Sequence, residues 1–462
     1  MTRRLLLLGV AALGLQGCAA TVARSPIPQA ASVAAPPVWR SSPAISNTAV
    51  TRDWWRALGD PVLDDLVARA LEHNVDVAIA AARVDEARAQ SRLAHAALFP
   101  TLDLGVGGQQ SRSLNAFGQA YEAASGQPDL RAGYEVDLWG RLSSLDAAGR
   151  ASLQASEAAQ ATTRLAVAAA VARSYVSLRS LDAQLQVTRD TAQARSESAR
   201  VARRRFDAGY SGELELAQAE SELAAARQRI PALEQAIARQ ENALSVLCGG
   251  PPTVIQRGLG LTAIALPEAV AGLPSAVVRQ RPDIAAAEAQ IVGADASLSA
   301  ARALMLPQVR LTASISRLFT ETLDDPVTLW SAGGSVLAPL FNGGRIRAQG
   351  DAAEARRDQA AFAYRGVVLN AFLEVENALA AADRLAAQEA AIEAQRTSVT
   401  RAYVLAENRY KAGYASYLEQ IDAQRGVLAT DLAWLQVRES RLLAAIALAQ
   451  AVGGGWTTPP VV

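Results

Sequence analysis

The chain has 462 residues, with 45 Lys+Arg balanced by 45 Asp+Glu, two histidines and two cysteines. Charge neutrality argues against a broad nucleic-acid footprint, and His73 and His95 stand apart in helical sequence, so no metal cluster is expected. The length suggests about three domains by the ~150-residue prior, but an internal repeat overrides that count.

The first stretch, "MTRRLLLLGVAALGLQGC", carries two arginines, an apolar run and small residues before a cysteine, the pattern of a secretory signal. It is too short for a permanent membrane-spanning helix. No other run reads as one, so any crossing of a bilayer must use strands. Leu15-Gln16-Gly17-Cys18 resembles the lipobox of bacterial lipoproteins. That resemblance implies a signal peptide over 1–17, cleavage before Cys18 and covalent lipid (palmitate) on Cys18. Ala19, where aspartate would signal inner-membrane retention, favours the outer membrane. Cys248 is then the sole free thiol, so no intrachain disulfide is expected, and it reads as a small residue packed near a helix end.

From Ala19 to Val50 the sequence is rich in Pro, Ala and Ser without periodicity, so 18–53 reads as a lipidated N-terminus and flexible tether. Structure begins at "DWWRALGDPVLDDL", where Pro61 suits a first helical turn. A helical pattern then runs to Phe99 and stops at Pro100. The second half repeats the plan: "RVDEARAQSRLAHAALFP" at Arg83–Pro100 is answered by "AQIVGADASLSAARALMLP", ending at Pro307. After each proline the apolar period becomes two. Leu102, Leu104 and Val106 alternate with polar or small residues, as do Leu130, Ala132, Tyr134, Val136 and Leu138. In the second copy Val309, Leu311, Ala313 and Ile315 alternate, followed by the glycine-rich "LWSAGGSVLAPLF". The expected β-hairpins are 101–139 and 308–341. A half-buried soluble sheet would alternate in the same way. Against it stand the strand length, about ten residues and enough to cross a bilayer when tilted, and the outer-membrane address.

Each hairpin precedes a long proline-free window rich in Ala, Leu, Arg, Glu and Gln. The spacing predicts long helices over 141–208 and 345–412, each about 100 Å long at ~1.5 Å per residue. Helices of that length need helical neighbours. Gly209 and Gly413 suit the left-handed residue that ends a helix and reverses the chain. The two turns are copies: Arg205, Ala208, Gly209, Tyr210, Leu214, Glu215 and Ala219 meet Arg409, Ala412, Gly413, Tyr414, Leu418, Glu419 and Ala423 at an offset of 204 positions. Past the second turn, Leu418, Ile421, Leu428, Leu432, Leu435, Leu442 and Ile446 trace a heptad seam, interrupted by Arg425 and Glu439. Pro231 predicts a bend in the first returning helix. The domains are thus a first repeat over 54–250, a linker over 251–274, a second repeat over 275–454 and a tail over 455–462.

Four strands cannot close a transmembrane barrel alone. Two copies would supply eight strands and three copies twelve, with more lumen; closure is required without the number being fixed. Together "DPVLDDLVARALEHN", "RPDIAAAEAQI" at Arg281–Ile291, "PLFNGGR" at Pro339–Arg345 and "RYKAGYASYLEQIDAQ" resemble the TolC-like outer membrane factors, specifically the NodT-type efflux lipoproteins, from Trp54 to Gly454. This resemblance implies a mostly α fold with a small β part. The duplicated unit is a helix, a β-hairpin and a long helical hairpin. It assembles as a homotrimer with a 12-stranded outer-membrane β-barrel continuous with a periplasmic α-helical barrel. The partners it implies are outer-membrane lipid, a periplasmic adaptor protein and an inner-membrane RND-type pump. The tips Gly209, Tyr210, Gly413 and Tyr414 would meet the adaptor. Glu419 and Asp422, three apart on one helix face, would form a carboxylate ring that narrows the pore and attracts cations. Ala415 stands where a basic residue is frequent in the family, so no specific ion-pair latch is expected.

The "LGDP" and "GG" stretches lack a strand–turn–helix setting for a nucleotide loop, and the carboxylates are spaced like helix-surface charges. No enzymatic activity, cofactor or metal is expected beyond the lipid on Cys18. The function expected is an efflux exit duct that conducts passively through a periplasmic gate. Rival readings are a structural coiled-coil envelope lipoprotein, a periplasmic adaptor, which would hold one helical hairpin rather than two, and the duct of type I protein secretion.

Overall fold

A computed structural model describes residues 26–41, 50–114, 116–267, 272, 274–321 and 324–457. The signal peptide, Cys18 and the last five residues lie outside the described residues. In chain order the elements are α1 (Pro61–His73), α2 (Val75–Ala96), β1 (Thr101–Leu114), β2 (Ala120–Val136), α3 (Arg141–Asp207), α4 (Glu213–Leu247), α5 (Pro274–Gln280), α6 (Pro282–Ala303), β3 (Gln308–Thr320), β4 (Val327–Leu337), α7 (Arg345–Lys411) and α8 (Tyr417–Ala451). Residues 83–157 and 286–365, with the N-terminal segment up to Ser32, form one compact unit. Residues 33–82, 158–285 and 366–462 form the other.

The first unit carries the sheet, antiparallel throughout in the order β1-β2-β3-β4. Residues opposite each other across a ladder share a face, so register decides what each face presents. Leu104 pairs with Leu130, Leu130 with Ile315 and Ile315 with Trp330; the next row on this face is Leu102, Ala132, Ala313 and Ala332, and the one after it holds Tyr134, Leu311 and Gly334. The opposite face carries Asp103, Arg131, Ser314 and Ser331 in one row, with the two serine hydroxyls 2.9 Å apart. One face is therefore apolar across all four strands, and its Leu104, Ile315 and Trp330 side chains are exposed. Among the described residues the outer edges of β1 and β4 have no partner strand. At the base of the sheet the Asp137 carboxylate accepts from the Leu142 and Ser143 amides (2.9 and 2.8 Å), capping α3. Arg141 forks onto Glu135 (2.8 and 2.9 Å).

The core of the second unit is built on α1. Asp60 caps it by accepting from the Val62 amide at 2.9 Å, with Pro61 at the first position. The same buried carboxylate accepts from the Tyr175 hydroxyl (2.7 Å) and the Leu259 amide (2.8 Å), three bonds in all. Leu63, Leu66, Val67 and Ala70 pack from one face of α1 against Val171, Tyr175 and Leu178 of α3; each large side chain contributes about 1.5–3 kcal/mol. The single helix read from Pro61 to Phe99 is in fact two. Asn74 takes an extended backbone and its side-chain oxygen accepts from the Asp76 and Val77 amides, restarting the helix as α2. The Arg-Pro-Asp motif is a hub. Buried Arg281 forks onto Asp283 (2.6 and 3.0 Å), reaches Glu374 at 2.7 Å and donates to the Ala451 carbonyl at 2.7 Å.

α4 runs unbroken from Glu213 to Leu247 with Pro231 inside it; the proline removes one amide without ending the helix. Two expectations need correction. The α8 seam starts at Tyr417 rather than Leu418, which is 51% exposed. It continues through buried Ile421, Leu428, Leu435, Leu442 and Ile446, while Leu432 is only half-buried. Finally, the described part of the tether, residues 26–41, is docked. Trp39 is 3% exposed, its indole donates to the Gly272 carbonyl at 2.7 Å, and its ring packs edge-on against Phe372. The Glu376 carboxylate accepts from the Arg40 and Ser41 amides at 2.6 and 3.2 Å. Composition alone reads as a linker because a single tryptophan supplies the anchor.

Trp39→Ala should lose about 3–5 kcal/mol of local packing and release this segment. Limited trypsin digestion should then cut after Arg40 about a hundredfold faster than in the parent protein, with helical circular dichroism unchanged.

Candidate functional site: the paired helical tips

Both chain reversals of the second unit have the same backbone. At the end of α3 the Tyr210 amide donates to the Arg205 carbonyl (2.8 Å) and the Gly209 amide to Phe206 (2.9 Å). At the end of α7 the Tyr414 amide donates to Arg409 (2.8 Å) and the Gly413 amide to Tyr410 (3.0 Å). This six-to-one and five-to-two pattern requires a left-handed residue just past the helix. Gly209 and Gly413 supply it, with φ of 72° and 79°. A β-carbon there would be penalised by about 1–2 kcal/mol. Tyr210 and Tyr414 are each 81% exposed, beside exposed Leu214 and Leu418.

Behind these exposed rings, the two hairpins pack through Ala199, Ala202, Leu216, Ala219, Tyr417 and Ile421. The small side chains on α3 and α4 let α8 approach closely. A polar bridge crosses between the copies. The Tyr410 hydroxyl donates to the Glu215 carboxylate and accepts from Arg205 Nη1 at 2.7 Å. The Arg205 guanidinium also lies 5.2 Å from the Tyr410 ring centre. Burial first, and then the hydrogen bond to Glu215, push the Tyr410 phenol up to about 12. The second copy keeps the equivalent pair to itself: Arg409 lies 3.1 Å from Glu419. The position equivalent to Tyr410 in the first copy is Phe206, which has no hydroxyl to reach across.

Glu419 and Asp422 both lie on the first turns of α8, and the carboxylate of each meets an arginine: Arg409 at 3.1 Å and Arg425 at 3.4 Å. The cation for Glu419 comes from the end of α7 rather than from position 415. Arg425, which breaks the apolar seam, also bonds Glu222 of α4. Sequence reading missed two contacts between the hairpins, Arg205 with Tyr410 and Glu222 with Arg425. The available signals were the charged interruption of the heptad at Arg425 and the tyrosine-for-phenylalanine difference between the copies. Among the described residues no cluster of His, Cys, Asp or Glu is placed to hold a metal ion, and no helix is long and apolar enough to cross a membrane.

A sheet with one exposed apolar face and two open edges, in a chain with duplicated helical hairpins, defines a subunit of an outer-membrane channel. The family model of outer membrane efflux proteins matches residues 66–250 and 273–454, and the chain belongs to that family. It is 35% identical over 459 residues to the pyoverdine export outer membrane protein OpmQ of Pseudomonas aeruginosa, with 96% of each chain covered. It is 32% identical over 476 residues to the toluene efflux pump outer membrane protein TtgC of Pseudomonas putida, covering 99% of this chain and 96% of that one. The open-state structure of the MtrE outer membrane channel of Neisseria gonorrhoeae superposes with a TM-score of 0.83 at 28% identity, covering 93% and 98% of the two chains. The protein is an outer-membrane efflux channel component, and the rival reading as a structural coiled-coil lipoprotein is set aside.

The raised Tyr410 pKa gives a definite pH window. In the unfolded chain the phenol titrates near 10, so the folded state holds its proton more tightly. The stabilisation it contributes is complete below about pH 10 and is lost as pH rises towards 12. Ultraviolet titration of the parent protein minus that of Tyr410→Phe should isolate one tyrosinate appearing near pH 12; a difference centred near 10 would show the bridge to be absent.

Proposed function

We propose that three copies of the chain close into a 12-stranded barrel in the outer membrane, the exit duct of a tripartite efflux system. The observation that carries this is the apolar face shared by all four strands between two unpaired edges. In hydrocarbon, each unpaired backbone group costs several kcal/mol, so both edges must find strands. Two copies would yield eight strands, whose interior side chains fill. Three leave a lumen lined by the polar face with Asp103, Arg131, Ser314 and Ser331. Lipid on Cys18 adds a second attachment to the same membrane.

In this reading the helical hairpins point into the periplasm. The exposed pairs Gly209–Tyr210 and Gly413–Tyr414 form two similar contact points for an adaptor, which links the duct to an inner-membrane pump of the RND type. The relatives named for pyoverdine export and toluene efflux support a small-molecule cargo. Glu419 and Asp422 from three subunits form the constriction, each carboxylate partly neutralised by Arg409 or Arg425. The Arg205–Tyr410–Glu215 bridge holds the two hairpins of one subunit together, and parting it widens the entrance. The chain has no chemical step to perform; the pump supplies the energy.

Placing Ile315→Arg in the centre of the apolar face should cost about 2–4 kcal/mol per subunit and abolish trimers in cross-linking, while an arginine at Ser314 on the other face is tolerated. The parent protein in planar bilayers should pass small, cation-selective currents. Glu419→Ser with Asp422→Ser should pass larger and less selective ones; equal currents would remove the gate and keep the duct.

A further inference from the structure

Two turns into α8, three helices of the second unit meet at a charge cluster separate from the tyrosine bridge. Arg195 of α3 is buried. Its Nη1 donates to the Glu222 carbonyl at 2.9 Å and lies 2.9 Å from Glu222 Oε2. The other carboxylate oxygen, Oε1, accepts from Arg425 Nε at 2.9 Å and Nη2 at 2.5 Å. Only Arg425 Nη1 is left for Asp422, and that contact is the long one, 3.4 Å. Burial pulls the Arg195 pKa down, and Glu222 is the anion that opposes the shift. A single carboxylate from the first hairpin therefore holds two guanidiniums. It competes with Asp422 for the second of them.

We infer that Glu222 is a positioning residue of the gate: it clamps the first hairpin to the second through Arg425, and it keeps Arg425 from fully neutralising Asp422. The inference rests on the reading of Glu419 and Asp422 as the constriction. Two properties are then set by one side chain. The clamp governs how readily the hairpins part, and the share of Arg425 left to Asp422 governs the charge presented to ions. The side chains allow this because Asp422 and Arg425 are three apart on one helix face, where they pair without help once Glu222 lets go. Arginine is needed rather than lysine, since only a fork can bond Glu222 twice and still reach Asp422.

The test uses the full-length protein in planar bilayers, reading open fraction and reversal potential under a potassium chloride gradient. Glu222→Gln and Arg425→Gln should each raise the open fraction about tenfold, because both remove the clamp. Their selectivities should move in opposite directions. Glu222→Gln frees Arg425 to collapse on Asp422 and should weaken cation selectivity; Arg425→Gln bares Asp422 and should strengthen it. Arg425→Lys should open like Arg425→Gln while keeping more of the parent selectivity. Folding is preserved by design in Arg425→Gln, where the Arg195–Glu222 pair stays intact, and in Glu222→Gln the backbone carbonyl still accepts from Arg195. Selectivity shifts of the same sign in both variants, or an unchanged open fraction, would overturn the inference. If Glu419→Ser with Asp422→Ser also leaves selectivity unchanged, the constriction reading itself fails; if that pair shifts it and the Glu222 variant does not, only the positioning role fails.

Discussion

A backbone amide or carbonyl without a partner is tolerable in water and prohibitive in hydrocarbon. The open edges of β1 and β4 sit under that constraint. The chain folds a sheet that is complete in register yet incomplete in hydrogen bonding, and its apolar face has no covering layer of its own. Closure is then a property of an assembly. The polar face, with its rows of serine, arginine and aspartate, makes sense as the inside of the closed form, where water satisfies the side chains that lipid could not.

Duplication explains how one chain can supply alternating elements to such an assembly, and divergence explains the asymmetry inside it. Both copies keep the six-to-one reversal with its glycine, because backbone geometry admits little else. They keep an arginine and a glutamate on either side of the turn as well. Among the positions where the copies differ, one ring position matters here: Phe206 in one and Tyr410 in the other. The hydroxyl turns an internal arginine–glutamate pair of the first copy into a contact with the second. At partly exposed sites such bonds are each worth only about 1 kcal/mol.

Much of this architecture is legible in sequence because it rests on local rules. Glycine at 209 and 413, proline at 100 and 307, and the switch from helical to alternating period mark where elements begin and end. The face each strand presents follows from its own alternation. What escapes local reading depends on partners far away in the chain. Asn74 breaks a helical pattern by capping its own successor, and nothing in the apolar periodicity marks it. Trp39 sits in a proline- and alanine-rich stretch and finds its carbonyl acceptor at Gly272. Arg425 looks like a flaw in a heptad seam until Glu222 is brought beside it. Glu419 and Asp422 suggest bare charge on a helix face, whereas their arginines arrive from the preceding helix and from the next turn.

The docked segment at Trp39 has a bearing on the order of events during synthesis. Its amides at Arg40 and Ser41 are held by Glu376, some 336 and 335 positions downstream. Closing a loop of that size is costly and slow, and the acceptor does not exist until most of the chain has been made. Residues made first are therefore fastened among the last. A chain interrupted before Glu376 leaves its leading end loose and open to proteases, so the fastening marks the molecules that have been completed.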